Sequence, residues 1–343
     1  MTAAPDKFRG IASAAEVASA VAAAARRAGW TADEVPLSDG GEGLLEAVGG
    51  TPHFTTVPGP LGTPTLAEWR LLPETGAGGP TAVIEMSRAA GRALLPHPLG
   101  EDPMVADTAG VGHLLLGARD AGASRIVVGC GGSATTDGGW GAVRVLGSPQ
   151  ALAGIDLEVA CDVTTPFGQA AIVFGPQKGA SAEQVQRLTH RLHLLADRYR
   201  HEFGVAVDAL PGAGAAGGLA GGLAALGGRI VPGFDLVAGV TGLARRIAAA
   251  DLVVTGEGHL DPPSFEGKVP GGVLRLARGR CPVLCVVGDA DQELLRSPPP
   301  GMEIVSLTAR FGAARSRRET TGLIAEVVMR EAVARRGPVD DAG

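Results

Sequence analysis

Aromatic residues, cysteines, lysines and long apolar runs are all scarce in this chain of 343 residues. Only 3% of the residues are aromatic and the formal net charge is -6, so few rings can stack on bases and no cationic field attracts a phosphate backbone. These absences exclude nucleic acid as an expected partner and favour a small molecule. No uncharged apolar run approaches the roughly 18 residues of a membrane helix, and no basic segment followed by an apolar one opens the chain. We therefore expect no membrane span, no signal peptide and a cytoplasmic location.

The four cysteines are Cys130, Cys161, Cys281 and Cys285, and they lie in or beside apolar runs typical of strands. Cys281 and Cys285 are four residues apart, but no second Cys or His pair at metal-ligand spacing accompanies them. The pattern predicts buried structural thiols rather than a zinc site.

Only three of the 30 basic residues are lysines, and these are Lys7, Lys178 and Lys268. A chain that uses arginine almost everywhere has kept lysine where a compact ammonium on a flexible stem is needed, or else by chance. All three lie in loops punctuated by Gly or Pro. We interpret them as candidate contacts to an anionic ligand.

Short apolar runs with β-branched residues alternate with helical patterns along most of the chain. This alternation predicts βαβ units and a parallel sheet. Residues 13–28 are expected to form a helix, with Ser13 as its N-cap and Glu16 completing a capping box. The chain is long enough for about two domains of roughly 150 residues.

We expect two α/β domains, one Rossmann-like with a parallel sheet and the other inserted into it. The inserted domain differs in composition and pattern. Its first part is rich in Pro, Gly and Thr, and its second part contains one long helical pattern. The predicted boundaries are 1–50, 105–149 and 235–336 for the Rossmann-like domain, 51–104 and 150–234 for the inserted domain, and 337–343 for a disordered tail.

Several Gly-rich loops with ionisable groups follow the apolar runs, where parallel sheets bind their ligands. Loop 131–139 offers hydroxyls, backbone N–H groups and one carboxylate, whereas loops 38–43 and 255–261 offer carboxylates that could hold Mg²⁺ or accept a proton. Loops 175–179 and 267–268 each offer an ammonium. Any one of these loops is also consistent with a plain turn, but together they fit phosphoryl transfer.

Other site chemistries find less support. No Walker loop is present, and no GxGxxG occurs in a strand–turn–helix setting, which disfavours a nicotinamide-dependent oxidoreductase. Ser133 as a hydrolase nucleophile would need a histidine base, and His259 is the only histidine in these loops. A Ser/His hydrolase is therefore disfavoured.

A series of motifs runs along most of the chain: APDKFRG, LSDGGEG, IEMSRAAG, GGSATTDGG, EVACDV, FGPQKGA, PGAGAAGGL and TGEGHLD followed by GKVP. Taken in this order, these motifs resemble the bacterial glycerate kinases of the class that has no P-loop. The resemblance implies a two-domain α/β enzyme, with its active site in the interdomain cleft, that phosphorylates D-glycerate with Mg-ATP. The implied product is 2-phosphoglycerate, with 3-phosphoglycerate the lesser alternative. Independently of the resemblance, we expect a monomer or homodimer.

The loops and the resemblance together give candidate site residues, and either Asp137 or Asp261 is expected to accept the hydroxyl proton. The expected catalytic residues are Asp137, Asp261, Lys268 and Lys7. The expected cofactor-binding residues, for ATP, are Gly131, Gly132, Ser133, Thr135, Gly256 and Lys178. The expected Mg²⁺ ligands, direct or through water, are Asp39, Glu42 and Glu257.

The chain also departs from the family pattern. Thr164 and Thr165 replace an Asp-Asn pair, and His259 and Pro263 replace an Arg and a Gln. Only four residues precede Pro5, where the family has a hydrophobic first strand. These departures keep open a second interpretation, an impaired or non-catalytic paralogue that binds nucleotide or a small hydroxy acid.

Overall fold

The structure is a computed structural model that describes residues 1–73, 79–96 and 103–336. In this part of the chain the β strands are β1 Thr2–Ala3, β2 Asp33–Glu34, β3 Thr51–Pro58, β4 Pro64–Leu72, β5 Thr81–Glu85, β6 Arg125–Gly129, β7 Asp156–Cys161, β8 Arg229–Pro232, β9 Val253–Thr255, β10 His259–Leu260, β11 Val283–Val287, β12 Asp289–Ala290 and β13 Met302–Ser306. The α helices are α1 Ala14–Arg27, α2 Leu44–Val48, α3 Ser87–Ala90, α4 Ala109–Asp120, α5 Trp140–Leu146, α6 Ala170–Phe174, α7 Ala182–Phe203, α8 Leu219–Ala225, α9 Gly233–Thr241, α10 Leu243–Ala248, α11 Val269–Ala277, α12 Gln292–Arg296, α13 Leu307–Phe311, α14 Ala313–Arg318 and α15 Thr320–Arg336.

The described residues divide into two compact units. The first unit contains residues 1–39, 46–48 and 234–336, and the second unit contains residues 40–45 and 49–233 apart from the undescribed positions. The second unit therefore interrupts the first in sequence. This arrangement confirms the predicted class, a mixed α/β protein with parallel sheets in two parts.

The first unit is built on a five-stranded sheet with the order β13-β11-β9-β1-β2, and every neighbouring pair is parallel. Although β1 has only two residues, Thr2 pairs with both Asp33 and Val253, so the short first strand still joins its neighbours. Helix α1 begins as predicted, because Ser13 and Glu16 form a complete capping box. Its apolar face packs into the core of this unit.

The second unit is built on a six-stranded sheet with the order β3-β4-β5-β6-β7-β8. The pairs β3/β4 and β4/β5 are antiparallel, and the remaining pairs are parallel. Helix α7 carries Tyr199 into the core, where its hydroxyl donates to the carbonyl of Gly138 at 2.9 Å. This hydrogen bond ties loop 131–139 to the core of the unit.

The predicted domain boundaries differ from these units in one main respect. Residues 105–149 were assigned to the first domain, but β6 lies within them and pairs with β5 and β7 of the second unit. The prediction failed because an apolar strand such as β6 fits the interior of either parallel sheet, and its sequence does not identify its partners. The predicted disordered tail, 337–343, lies outside the described residues. No helix within the described ranges is long and apolar enough to cross a membrane.

Candidate active site

Three carboxylates of the first unit follow three neighbouring strands. In the sheet order β9-β1-β2, Glu257 follows β9, Asp6 follows β1 and Asp39 follows β2. The backbone N–H of Asp6 donates to the carbonyl of Gly256 at 2.8 Å, which continues the β1/β9 pairing up to the carboxylates. Because the strands are parallel, all three groups are brought to the same edge of the sheet.

Asp6 is the most strongly perturbed carboxylate of this group. Its side chain is almost fully buried, and Oδ1 accepts a hydrogen bond from the backbone N–H of Lys7 at 2.7 Å. Burial, together with the negative charges of Asp39 and Glu257, raises the pKa of Asp6 to about 7, although the positive charge of Lys7 opposes the shift. Asp6 is not among the residues predicted from the sequence. The available signal was its place in APDKFRG, directly before a rare lysine and after an apolar start.

Glu257 is also buried, and within the described part of the chain its Oε1 has no hydrogen-bond partner. Burial raises the pKa of Glu257, and the Ser264 hydroxyl and the Lys268 ammonium act in the opposite direction. An unpaired buried carboxylate oxygen is costly. A cation or a hydrogen-bond donor from a ligand would relieve that cost.

Asp261 and Lys268 lie beside this cluster, on either side of the short helical turn Pro262–Phe265. Asp261 Oδ1 accepts hydrogen bonds from the Ser264 backbone N–H at 3.0 Å and the Ser264 hydroxyl at 2.8 Å, and it lies 3.7 Å from Lys268 Nζ. Partial burial raises the pKa of Asp261, but these hydrogen bonds and the lysine charge outweigh it, so the net pKa is below its usual range. Both side chains are about one-third exposed, at 32% each, so both can meet a ligand.

Gly256, which is predicted to contact the cofactor, packs against a neighbouring strand. A Cβ at this position would lie 1.9 Å from the carbonyl oxygen of Val286, on the neighbouring strand β11. Only glycine permits that approach.

In the second unit, Lys178 lies beneath loop 131–139. Its Nζ donates to Ser133 Oγ at 2.8 Å and to the carbonyl oxygen of Thr135 at 2.6 Å. Lys178 and Ser133 are buried and Thr135 is fully buried. Lys178 therefore holds the loop from inside, and a cofactor contact by the Thr135 hydroxyl would require the loop to open.

Asp137 organises the same loop. Its two carboxylate oxygens accept hydrogen bonds from the backbone N–H and hydroxyl of Thr108, at 3.0 and 2.8 Å, and from the backbone N–H groups of Gly139 and Gly141, at 3.2 and 3.0 Å. Burial raises the pKa of Asp137 and these four hydrogen bonds lower it. Because its oxygens are so fully used, the geometry favours a positioning role over the predicted role as proton acceptor.

The glycines of loop 131–139 pack closely against the segment that carries Glu42. A Cβ on Gly131 would lie 2.6 Å from the backbone nitrogen of Glu42, and Gly132 accepts a hydrogen bond from the Arg92 N–H at 2.9 Å. Glu42 itself is exposed. Three sequence motifs, around Glu42, Arg92 and Gly131, thus meet within the second unit.

The predicted site residues therefore separate into two groups. The first unit holds Lys7, Asp39, Gly256, Glu257, Asp261 and Lys268. The second unit holds Glu42, Gly131, Gly132, Ser133, Thr135, Asp137 and Lys178. Among the described residues, no three His, Cys, Asp or Glu side chains form a group that could by itself hold a metal ion. The metal, catalytic and cofactor assignments of individual residues stay predictions.

The cysteines take no part in such a cluster. Cys161 and Cys285 are buried, Cys130 and Cys281 are half-buried, and all four are free thiols. Burial raises the pKa of each of them.

Comparison with known proteins identifies the family. The sequence profile of the glycerate kinase family matches residues 1–151 and 147–321. The chain belongs to the glycerate kinase family. It is 36% identical over 330 residues to a glycerate 2-kinase of Escherichia coli (strain K12), covering 85% of each chain. It is 37% identical over 328 residues to a glycerate kinase of Halalkalibacterium halodurans, covering 84% of this chain and 85% of that one.

A solved structure agrees with this assignment. A protein of Salmonella typhimurium LT2, assigned as glycerate kinase 2, superposes with a TM-score of 0.78 at 34% identity, covering 97% of this chain and 96% of the other. The prediction of an enzyme of the glycerate kinase family is confirmed. The cytoplasmic location and the oligomeric state stay predictions.

Proposed function

We propose that this glycerate kinase family member transfers the γ-phosphoryl group of Mg-ATP to D-glycerate and forms 2-phosphoglycerate. The observation that carries the proposal is the cluster of Asp6, Asp39 and Glu257 at one edge of the parallel sheet, with Lys7 and Lys268 beside it. Phosphoryl transfer needs acidic metal ligands and positive charge on the transferred group in one place. The name of the Escherichia coli relative, a glycerate 2-kinase, supports the position of transfer.

The donor set of the first unit fits Mg²⁺. Glu257 Oε1 is buried without a partner among the described residues, and the charges of Asp39 and Glu257 both raise the pKa of Asp6. Protein sites for Mg²⁺ commonly supply one or two carboxylates and leave the other positions to water and substrate phosphates. A site of this kind does not require three protein ligands, and among the described positions no three His, Cys, Asp or Glu side chains could hold a metal ion by themselves. Asp39 and Glu257 would hold the ion, which would neutralise phosphate charge.

Lys268 supplies a point charge for the phosphate groups. It is the N-cap residue of α11, and its Nζ is only 3.7 Å from Asp261 Oδ1, so the ammonium is oriented but still partly exposed. Asp261 keeps its negative charge at neutral pH because its pKa is lowered. In this proposal Asp261 orients Lys268. Lys7, in the loop after β1, supplies a second positive charge for the phosphate groups.

The hydroxyl proton of the acceptor passes to a carboxylate of the first unit. Asp137 is a poor acceptor, because Thr108, Gly139 and Gly141 already occupy its oxygens. The role proposed for loop 131–139 is to bind an anionic group through Ser133 and the backbone N–H groups of its glycines.

A coupled assay of ADP release with D-glycerate, ATP and Mg²⁺ tests the proposal. We expect turnover that requires all three and that is lost in Glu257→Gln. Glu266→Gln is the matched control, since Glu266 is an exposed residue at the end of the helical turn Pro262–Phe265, nine residues further along the chain. If ATP or glycerate raises the melting temperature while no phosphate is transferred, the chain is the binding paralogue instead. Absence of turnover with glycerate, tartronate and lactate would exclude the kinase activity.

A further inference from the structure

Ser133 and Lys178 form a close buried pair in the second unit. The Nζ–Oγ distance is 2.8 Å, and only 8% of Ser133 and 7% of Lys178 are exposed. The carbonyl oxygen of Thr135 accepts a second hydrogen bond from Lys178 Nζ at 2.6 Å, and this contact fixes the amine in place. A hydroxyl is thus held against a nitrogen that a third group orients.

That arrangement has the geometry of an activated nucleophile. Such sites place a hydroxyl within about 2.6–3.2 Å of a base that another residue orients. No histidine is placed to serve as the base for Ser133 in the sequence pattern. Lysine replaces histidine in the Ser-Lys variant of this chemistry, provided that its amine is neutral when it takes the proton.

The surroundings of Lys178 favour the neutral amine. Burial lowers the pKa of Lys178 to about 7, and the positive charge of Arg92 acts in the same direction. The groups that oppose this shift are Asp137 and Cys130. Near neutral pH, the amine is therefore neutral in a large fraction of the molecules. A neutral amine can donate to the Thr135 carbonyl and accept a hydrogen bond from the Ser133 hydroxyl.

We propose that Ser133 and Lys178 are a nucleophile–base pair that accepts an acyl group from small activated carboxylic esters. The Ser133 Oγ–H proton passes to Lys178 Nζ while Oγ forms a bond to the ester carbonyl carbon. The bond from that carbon to the ester's alcohol oxygen then breaks, and the alcohol leaves with the proton held by Lys178. The products are acylated Ser133, the free alcohol and a neutral amine. The limited exposure of Ser133 restricts the donor to a small acyl group such as acetyl.

The test is incubation of the full chain with p-nitrophenyl acetate, without nucleotide, followed by peptide mapping. We expect an acetyl group on Ser133, with a labelling rate that rises with pH around a midpoint of about 7. Ser133→Ala should lose this adduct. Lys178→Arg keeps the positive charge but cannot act as a base, so it should label Ser133 at least tenfold more slowly.

A second variant leaves Lys178 in place, in case its substitution disturbs folding. In Ser133→Cys the lysine amine should lower the pKa of the introduced thiol below its usual value of about 8.5, measured as the pH dependence of alkylation by iodoacetamide. The proposal is overturned by no acetyl group on Ser133, by acetylation of Lys178 instead, by an equal labelling rate in a folded Lys178→Arg protein, or by a thiol that titrates at its usual pKa. Because no step uses ATP or glycerate, these outcomes are independent of the kinase activity.

Discussion

The carboxylate of Glu85 caps the helix that begins at Leu44, from a position forty residues further along the chain. Its Oε1 accepts hydrogen bonds from the backbone N–H of Leu45 at 3.1 Å and of Gly43 at 2.9 Å. Glu85 is buried at the end of β5, and its Oε2 accepts a hydrogen bond from Arg88 at 3.2 Å. One side chain thus fixes the loop that carries Glu42.

Replacing Glu85 should therefore loosen that loop. Glu85→Ala leaves two backbone N–H groups without their acceptor, so we expect a loss of about 1–3 kcal/mol in the free energy of unfolding. Glu85→Gln keeps an oxygen for both N–H groups and should lose less. Denaturant unfolding of the two variants measures the difference. Equal losses would show that the hydrogen bonds to Gly43 and Leu45 contribute little.

Asp6 should make stability depend on pH in the absence of metal. Its pKa of about 7 in the folded protein lies above the value of about 3.9 for an unfolded chain, so between these values the folded state binds a proton that the unfolded state has lost. Stability from this group is therefore present at low pH and falls as pH rises through the window. Asp6→Asn cannot ionise, and its melting temperature in EDTA should exceed that of the wild type increasingly from about pH 4 to pH 7. Parallel curves for the two proteins would contradict the raised pKa.

Gly217 should not tolerate a side chain, because it lies directly against loop 131–139. Its φ is +70°, and a Cβ would lie 2.0 Å from the carbonyl oxygen of Thr135. Gly204 is a matched control, since its φ is +73° and its Cβ would meet nothing within 4 Å. Gly204→Ala should cost about 1–2 kcal/mol for the left-handed conformation alone. Gly217→Ala should cost about 1–3 kcal/mol more through the clash, and urea unfolding of both variants tests this.

Lys268→Arg should damage catalysis far more than folding. The substitution keeps the charge but replaces a point donor with a planar fork that cannot occupy the same position. By analogy with removal of one oxyanion-hole donor, loss of such a well-placed donor costs about 10²–10³ in kcat. Stability should stay within about 0.5 kcal/mol of the wild type. Arg278→Lys, at the exposed end of the same helix α11, is the control and should change neither quantity. Turnover of Lys268→Arg within about threefold of the wild type would show that Lys268 is ordinary loop surface.

Local features of the fold were predictable because their causes lie in neighbouring residues. The capping box of Ser13 and Glu16 and the strand β11 follow from hydrogen bonds and apolar runs within a few positions. The domain to which β6 belongs was not predictable in this way, since its pairing with β5 and β7 depends on contacts distant in sequence.

The candidate site shows the same division. The Gly-rich loops and the rare lysines were visible in the sequence, and Lys268 lies beside the carboxylate cluster. Lys178, by contrast, is buried under loop 131–139, and nothing local to its own segment indicates which way its side chain points. Asp6 was missed because the burial and the neighbouring charges that raise its pKa come from other strands.

Phosphorus NMR of the reaction products tests the proposed activity most directly. The protein is incubated with D-glycerate, ATP and Mg²⁺, and the proton-coupled ³¹P spectrum is recorded. In 2-phosphoglycerate the phosphate oxygen is attached to a carbon with one hydrogen, so we predict a new phosphomonoester doublet together with ADP. A triplet, from a carbon with two hydrogens, would contradict transfer to the 2-hydroxyl. A spectrum with no new phosphomonoester signal would contradict the proposed kinase activity itself, provided that a thermal denaturation curve shows the protein to be folded.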